Sequence, residues 1–278
     1  MESYRFVYKN SGISYHRFGS GPDLVLCFHG YGEDAAVYTF LEKYAGNQFT
    51  FYSIDLPFHG KTEWNEGLLF THNDLQQIVK GILFQNNLKL QSPNLKLSLL
   101  GFSLGGRVIL SLFQMIPDKI KRIVLLAPDG LKINFWYWLS TQTWIGNRLF
   151  AFTMKNPGWF FGFLKMLNRL RLVNASVFKF VRYYIENSKF RKLLYQRWTC
   201  LRKIKPQLPL IRSLIKRQNT DVRLIYGKHD RIILPLVGKR FISGIEEQSI
   251  LSVINSGHQV LHEKHVKEIL PALLQRKQ

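Results

Sequence analysis

The chain has 278 residues, 46% of them hydrophobic, and 39 Lys or Arg against 18 Asp or Glu give it a formal net charge of +21. That length fits one large α/β domain, or one domain carrying an insertion, with enough chain to bury a substantial core. No run of about 18 uncharged apolar residues occurs, Met1–Arg5 lacks the basic start and apolar stretch of a secretory signal, and Cys27 and Cys200 make no disulfide framework, so a cytoplasmic location is expected.

In chain order, Tyr4–Lys9 and Ile13–Phe18 read as two short antiparallel strands around Asn10-Ser11-Gly12. Leu24–Phe28 is a wholly apolar strand of the kind a parallel sheet buries. A helix is predicted over Ala35–Lys43, a strand over Phe49–Ile54 and an amphipathic helix over Phe70–Phe84. The run from Leu95 ends at Gly101-Phe102-Ser103-Leu104-Gly105, where a helical pattern begins that stops before Pro117. A strand follows over Arg122–Ala127, then two more, Arg223–Tyr226 and Ser249–Ile254, beyond a long intervening segment. Strands alternating with helices imply a mostly parallel sheet covered on both faces, with ligands at the carboxyl ends of its strands.

Gly101–Gly105 is a G-x-S-x-G sequence in the strand–turn–helix context that lifts a serine hydroxyl clear of the sheet beside helix N-terminal N–H groups. Two glycines suit a place where strand and helix pass too closely for larger side chains. Downstream, one predicted strand runs into Gly227-Lys228-His229-Asp230 and the other into Asn255-Ser256-Gly257-His258. Upstream, Leu24–Phe28 leads into His29-Gly30-Tyr31-Gly32, and Phe49–Ile54 into Asp55-Leu56-Pro57-Phe58-His59-Gly60-Lys61-Thr62. In motif and order this chain resembles the α/β-hydrolases, whose triad runs Ser, acid, His. The loop at Asp55 resembles their D-x-P-G-x-G-x-S, with Phe58 in place of the first Gly and Thr62 in place of the Ser. The resemblance implies an α/β-hydrolase fold with a helical cap inserted after the sixth strand.

It also implies roles. Ser103 is the expected nucleophile, His258 its general base and Asp230 the acid that orients the imidazole. The backbone N–H groups of Tyr31 and Leu104 are the expected oxyanion hole. Asp129 is the rival acid, because some members carry theirs after the sixth strand; otherwise it is expected to cap the first helix of the insert or form a turn. His258, His262 and His265 lie at helical spacing, but the triad claims the first, and neither metal nor cofactor is expected. His59 and His229 read as structural or pocket-lining.

Residues 131–217 differ from their flanks. They hold eighteen Lys or Arg and a single acid, Glu186, so +17 of the net charge lies there, together with Trp136, Trp138, Trp144, Trp159 and Trp198. Helices are predicted over Trp159–Leu172, Val177–Glu186 and Phe190–Leu201, with apolar residues such as Phe160, Phe163, Leu164 and Leu167 at core-like spacing. The segment is read as the cap, and residues 1–130 with 218–278 as the core. Its charge is open to several readings: a solvated basic face, attraction to an anionic membrane, or attraction of an anionic substrate; nucleic acid is disfavoured because no such motif is present. The functional expectation is a serine esterase or thioesterase acting on a small acyl substrate. The alternatives are a carbon–carbon bond hydrolase or peptidase with the same triad, and an inactive protein of this fold held to lipid by the basic insert.

Overall fold

The structure, a computed structural model, describes residues 3–132, 134–169 and 185–274. It divides into two compact units: Met1–Glu66, Phe70–Lys132 and Ile204–Gln278 form the first, and Gly67–Leu69 with Ile133–Lys203 the second. The stretch 204–217, expected in the insert, groups with the first unit, where Ile211, Leu214 and Ile215 of its helix are buried.

The first unit is built on eight strands: β1 (Ser3–Tyr8), β2 (Ser11–Phe18), β3 (Asp23–Phe28), β4 (Phe49–Ile54), β5 (Leu97–Phe102), β6 (Ile120–Leu126), β7 (Asp221–Gly227) and β8 (Ser249–Ile254). They form one sheet in the order β1-β2-β4-β3-β5-β6-β7-β8. β2 runs antiparallel to both its neighbours and every other pairing is parallel. β4 and β5 are buried along their whole length, as apolar parallel strands covered on both faces must be.

Helices α1 (Leu41–Ala45), α2 (His72–Gln85) and α3 (Leu104–Phe113) precede the second unit, which contributes α4 (Phe135–Gln142), α5 (Trp144–Lys155), α6 (Gly158–Arg169) and α7 (Ser188–Cys200). α8 (Leu208–Gln218), α9 (Pro235–Ile242) and α10 (Val266–Leu274) return to the first. The single helix expected over 35–43 is split into a 3₁₀ turn, Ala35–Tyr38, and α1. The Asp34 side chain caps that turn by accepting from the Ala36 N–H at 2.9 Å. The chain is an α/β-hydrolase in sheet order and direction, with a helical region inserted after β6.

The start of α3 passes close against the end of β3. A Cβ on Gly105 would lie 1.7 Å from the Phe28 carbonyl oxygen, and one on Gly101 2.6 Å from the Gly105 backbone. Neither position tolerates any other residue without moving backbone.

Within the second unit, Tyr137 and Phe150 pack on Trp198 with ring centroids 5.2 and 5.7 Å apart. Asn147 Nδ2 donates to Ser140 O and Thr199 Oγ1 at 3.0 and 3.1 Å. Arg191 holds α5 to the entry of α7 by donating to the Met154, Ile185 and Glu186 carbonyls. The apolar residues expected as core divide: Leu164 is buried, whereas Trp159 and Phe163 are exposed. Leu167 and most of the helix expected over 177–186 lie outside the described side chains.

The β1–β2 hairpin is tied to α2 through Asp74. Its Oδ1 accepts from Tyr8 Oη at 2.6 Å and Lys9 Nζ at 3.0 Å, while Oδ2 accepts from the Thr71 N–H and Oγ at the helix N-cap. Burial alone would raise this carboxyl, but the Thr71, Tyr8 and Lys9 hydrogen bonds outweigh it and hold the pKa at about 2. A depressed acid stabilises the fold fully above its unfolded pKa and loses that contribution as pH falls toward the folded value. Asp74→Asn should therefore cost about 2 kcal/mol at pH 7, with roughly half the difference from wild type gone by about pH 3. Urea titrations across that range measure it, and a constant difference would contradict the assignment.

Candidate active site

Ser103 sits on the turn between β5 and α3 with φ 48° and ψ −113°, in the left-handed half of backbone space that a residue with a Cβ avoids. Its N–H donates to Leu126 O at 2.9 Å, and its carbonyl accepts from the Gly106 and Asp129 N–H groups. The strained turn is thus fixed from both sides by neighbouring backbone. Leu104 is the first residue of α3, so its N–H has no intrahelical acceptor and points out of the positive end of the helix.

Two other strand ends converge on the serine. A Cβ on Gly227 would lie 1.9 Å from Gly257 O, and the Lys228 and His229 N–H groups donate to Ile254 O and Ser256 O. The loops after β7 and β8 are thereby laced together. Asp230 and His258 then meet, with Asp230 Oδ2 2.8 Å from His258 Nδ1. The other ring nitrogen, Nε2, is 3.0 Å from Ser103 Oγ. Since the carboxylate can only accept, Nδ1 carries the proton and Nε2 is left to accept from the serine hydroxyl. The Phe102 ring packs on the imidazole at 5.4 Å.

The Asp230 side chain is wholly buried and that of His258 is 20% exposed, so the imidazole can meet a ligand while its carboxylate cannot. Burial pushes the Asp230 carboxyl up, but His258 and the Ile233 and Ile232 N–H groups on Oδ1 prevail and lower its pKa. Asp129 is placed otherwise. Its carboxylate accepts from the Gly130 N–H at 2.7 Å and pairs with Arg107 Nε at 3.3 Å. It forms a turn and does not cap the insert: the side chain of Asn134 caps α4.

Tyr31 follows Gly30, whose missing Cβ would strike the Phe102 ring and Glu33 Oε2, both at 2.9 Å. His29 is buried, with Nε2 accepting from the Leu56 N–H at 3.1 Å and Nδ1 donating to Gly30 O at 2.8 Å. The loop after β4 packs behind it, His59 lying 5.0 Å from His29 and 6.0 Å from Tyr31 between ring centroids. Asp55 knits that loop by accepting from the Ala35 and Lys61 N–H groups. Phe58, where the family pattern has glycine, keeps the left-handed backbone with φ 62°.

His265 bonds Ser256 and His262 caps a 3₁₀ turn, and among the described residues no group of three or more His, Cys, Asp or Glu could hold a metal. His229 faces Asn255. Cys27 and Cys200 are buried, and burial pushes the Cys27 thiol up.

The sequence profile of the family described as serine aminopeptidase S33 (Hydrolase_4) matches residues 22–265. The chain belongs to that family. A hydrolase of Bacillus subtilis (strain 168) named YugF, itself described as uncharacterized, is 22% identical over 94% of this chain and 92% of its own length. Pimeloyl-[acyl-carrier protein] methyl ester esterase of Aeromonas salmonicida (strain A449) is 31% identical over 115 residues, which is 41% of either chain. A thermophilic esterase from Thermogutta terrifontis shares the fold at TM-score 0.67 and 17% identity, over 99% of this chain and 98% of its own. The chain is therefore an α/β-hydrolase with esterases among its relatives.

One group that sequence reading passed over joins the two halves of the site. Glu33 Oε2 accepts from the Gly30 N–H at 3.0 Å, and Oε1 accepts from Gln259 Nε2 at 2.9 Å. The glutamate thus straps the loop carrying Tyr31 to the residue following His258. Burial raises its pKa despite both hydrogen bonds and the nearby imidazole. Glu33 lies four positions after His29 and 226 before Gln259, and no motif includes either partner, so only the fold reveals the pair. Glu33→Ala should lower kcat about tenfold with little change in KM, because misaligned groups cost rate more than binding. The reciprocal exchange, Glu33→Gln with Gln259→Glu, should recover most of it; failure of the exchange to recover any rate would refute a strap between the loops.

Proposed function

We propose that the protein is a serine esterase that cleaves carboxylic esters or thioesters through an acyl-enzyme on Ser103. The observation that carries this reading is the continuous relay from Ser103 Oγ to His258 Nε2 at 3.0 Å and from His258 Nδ1 to Asp230 Oδ2 at 2.8 Å. A serine hydroxyl is a weak nucleophile at neutral pH and needs a base within hydrogen-bond reach.

In this reading Ser103 Oγ attacks the acyl carbon while His258 Nε2 takes its proton. The imidazolium so formed is stabilised by Asp230, whose lowered pKa keeps it ionised. Negative charge developing on the carbonyl oxygen is met by the N–H groups of Leu104 and Tyr31, the former adding the field of the α3 N-terminus. Collapse breaks the bond to the leaving group, which takes the proton from His258 and departs as alcohol or thiol. A water molecule then attacks the acyl-enzyme, giving its proton to His258, and release of the acid restores Ser103. Removing one oxyanion donor from such a site costs about 3–4 kcal/mol in the transition state.

Esters are favoured over amides by the relatives, since a methyl ester esterase matches 115 residues at 31% identity and a thermophilic esterase shares the fold. The substrate class we infer is an apolar acyl group on a small alcohol or thiol carrier, which the peptidase reading of the family name would not require.

Fluorophosphonate labelling and hydrolysis of an acyl-chain series of p-nitrophenyl esters and thioesters, set against aminoacyl p-nitroanilides, test the proposal. Ser103→Ala should abolish both labelling and turnover without loss of folding, and undiminished turnover would sink the mechanism. Asp230→Asn should lower kcat by roughly 10³-fold or more, by giving His258 the wrong tautomer, while Asp129→Asn stays near wild type. The reverse order would move the acid to Asp129. Faster cleavage of the anilides than of every ester would replace the esterase reading with a peptidase.

A further inference from the structure

The second unit leaves an unusual surface in water. Phe135, Trp136 and Trp138 on α4, Trp144, Ile145, Leu149 and Phe152 on α5, and Trp159, Phe163 and Met166 on α6 are all exposed, with Trp136, Trp144 and Ile145 at 69%, 69% and 72%. All the exposed tryptophans among the described residues lie here. On α5 the four apolar residues fall within an arc of roughly 140° at about 100° per residue. On α6 the three recur at i, i+4 and i+7 and form a single stripe. Isolated exposed apolar residues need no explanation, but a run of them over three consecutive helices does.

The charge around this surface has one sign. No Asp or Glu occurs between Asp129 and Glu186, and the exposed cations Arg148, Lys155, Lys165 and Arg169 sit on the same helices as the aromatics. Arg148 lies within the α5 arc itself, its Cζ 4.3 Å from the centroid of the Trp144 ring. A guanidinium on the face of an indole keeps its charge at the edge of the apolar surface, where it can meet a phosphate while the ring enters a less polar layer.

We infer that the α4–α6 surface docks the protein on an anionic lipid bilayer, with the Trp, Phe, Ile, Leu and Met side chains entering the interfacial layer and the Lys and Arg side chains meeting lipid phosphates. A large apolar face with Trp at its margin, cations and no acids is what interfacial helices present. Charge complementarity selects this occupant. A second copy would bring the same positive surface and be repelled. A nucleic acid would use the cations and stack on the rings, but it has no use for Ile145, Leu149 and Met166, which hydrocarbon solvates well. No helix among the described residues is long and apolar enough to cross a membrane, so the association is peripheral. The inference is independent of the role proposed for Ser103.

Co-sedimentation of the full chain with vesicles of phosphatidylcholine, and of phosphatidylcholine mixed with phosphatidylglycerol, tests it. Binding to the mixed vesicles should exceed binding to the neutral ones by about tenfold or more at low salt. It should weaken markedly as the Debye length falls from about 10 Å at 0.1 M to about 3 Å at 1 M salt. Tryptophan emission should shift to shorter wavelength on binding and be quenched by brominated acyl chains, which reach only residues inside the interfacial layer. Two variants divide the contributions. Trp144→Ser with Phe152→Ser should lose quenching and most binding to the mixed vesicles, and Arg148→Glu with Lys155→Glu should lose the preference for anionic lipid. Both should retain wild-type turnover of a soluble short-chain ester, which also reports that they fold; circular dichroism serves the same purpose should the protein turn over no ester. Equal binding to both vesicle types at low salt, or variants that bind like wild type, would overturn the inference. So would variants that lose turnover of the soluble ester while still folded, because the surface would then belong to substrate handling.

Discussion

The close approach of α3 to the carboxyl end of β3 is the constraint on which the rest of the first unit depends. With Gly105 packed against the Phe28 carbonyl, the first turn of α3 is drawn down between β3 and β5. The chain can make that turn within a single residue only by forcing Ser103 to positive φ. A cost of order 1–3 kcal/mol at such a residue persists only where the surroundings overdetermine it. Here the Leu126 carbonyl and the Gly106 and Asp129 N–H groups supply that overdetermination. The same geometry exposes the hydroxyl and turns the first N–H of α3 outward, so strain, nucleophile and oxyanion donor have one origin.

A second consequence concerns charge. Asp230 is an anion with a wholly buried side chain, which is costly unless each lone-pair direction finds a donor. One oxygen takes two backbone N–H groups and the other takes the imidazole. The two backbone donors hold the carboxylate independently of His258, and its free oxygen dictates the ring's tautomer. The lacing of Gly227 against Gly257 explains why two residues 28 apart meet at hydrogen-bond distance. Glu33 plays a corresponding part between the Tyr31 loop and the residue after His258, although its carboxyl lies in a less polar setting that favours the neutral form.

How much of this was legible in the chain follows from what leaves a local mark. The parallel strands are short apolar runs ending in turn residues, so Phe49–Ile54 and Ser249–Ile254 were readable to the residue. Ser103, Asp230 and His258 each follow such a run, and their order carries the rest. Ala, Val, Leu and Lys over 35–43 have helical spacing and imply one helix, whereas Asp34 caps a tighter turn that ends at Tyr38. Phe58 gave no warning: nothing in a phenylalanine announces a left-handed backbone, and only the resemblance to a glycine-bearing loop drew attention to it. Glu33 and Gln259 were invisible because their pairing is purely tertiary. Periodicity identifies a face without saying what covers it, so Phe163 is expected in the core yet lies exposed.

That last point separates the two units physically. Of the 18 acids, 17 lie outside the segment 131–217, and several are fully employed in the first unit: Asp55 holds a loop, Asp74 a hairpin, Asp221 the side chains of Arg122 and Arg223, and Asp230 the imidazole. Acids in the first unit thus offset its cations and fix its backbone together. The second unit has thirteen Lys or Arg against Glu186 alone, and closes its helices with Asn134, Thr143 and Asn187 as neutral caps instead. Neutral caps satisfy helix N-terminal N–H groups as well as Asp does, so stability did not require the acids to be absent. Their absence leaves the positive field of the unit without internal compensation, over a surface that also exposes its largest apolar side chains. Folding of the unit explains neither property, whereas contact with an anionic, partly apolar phase would satisfy both at once.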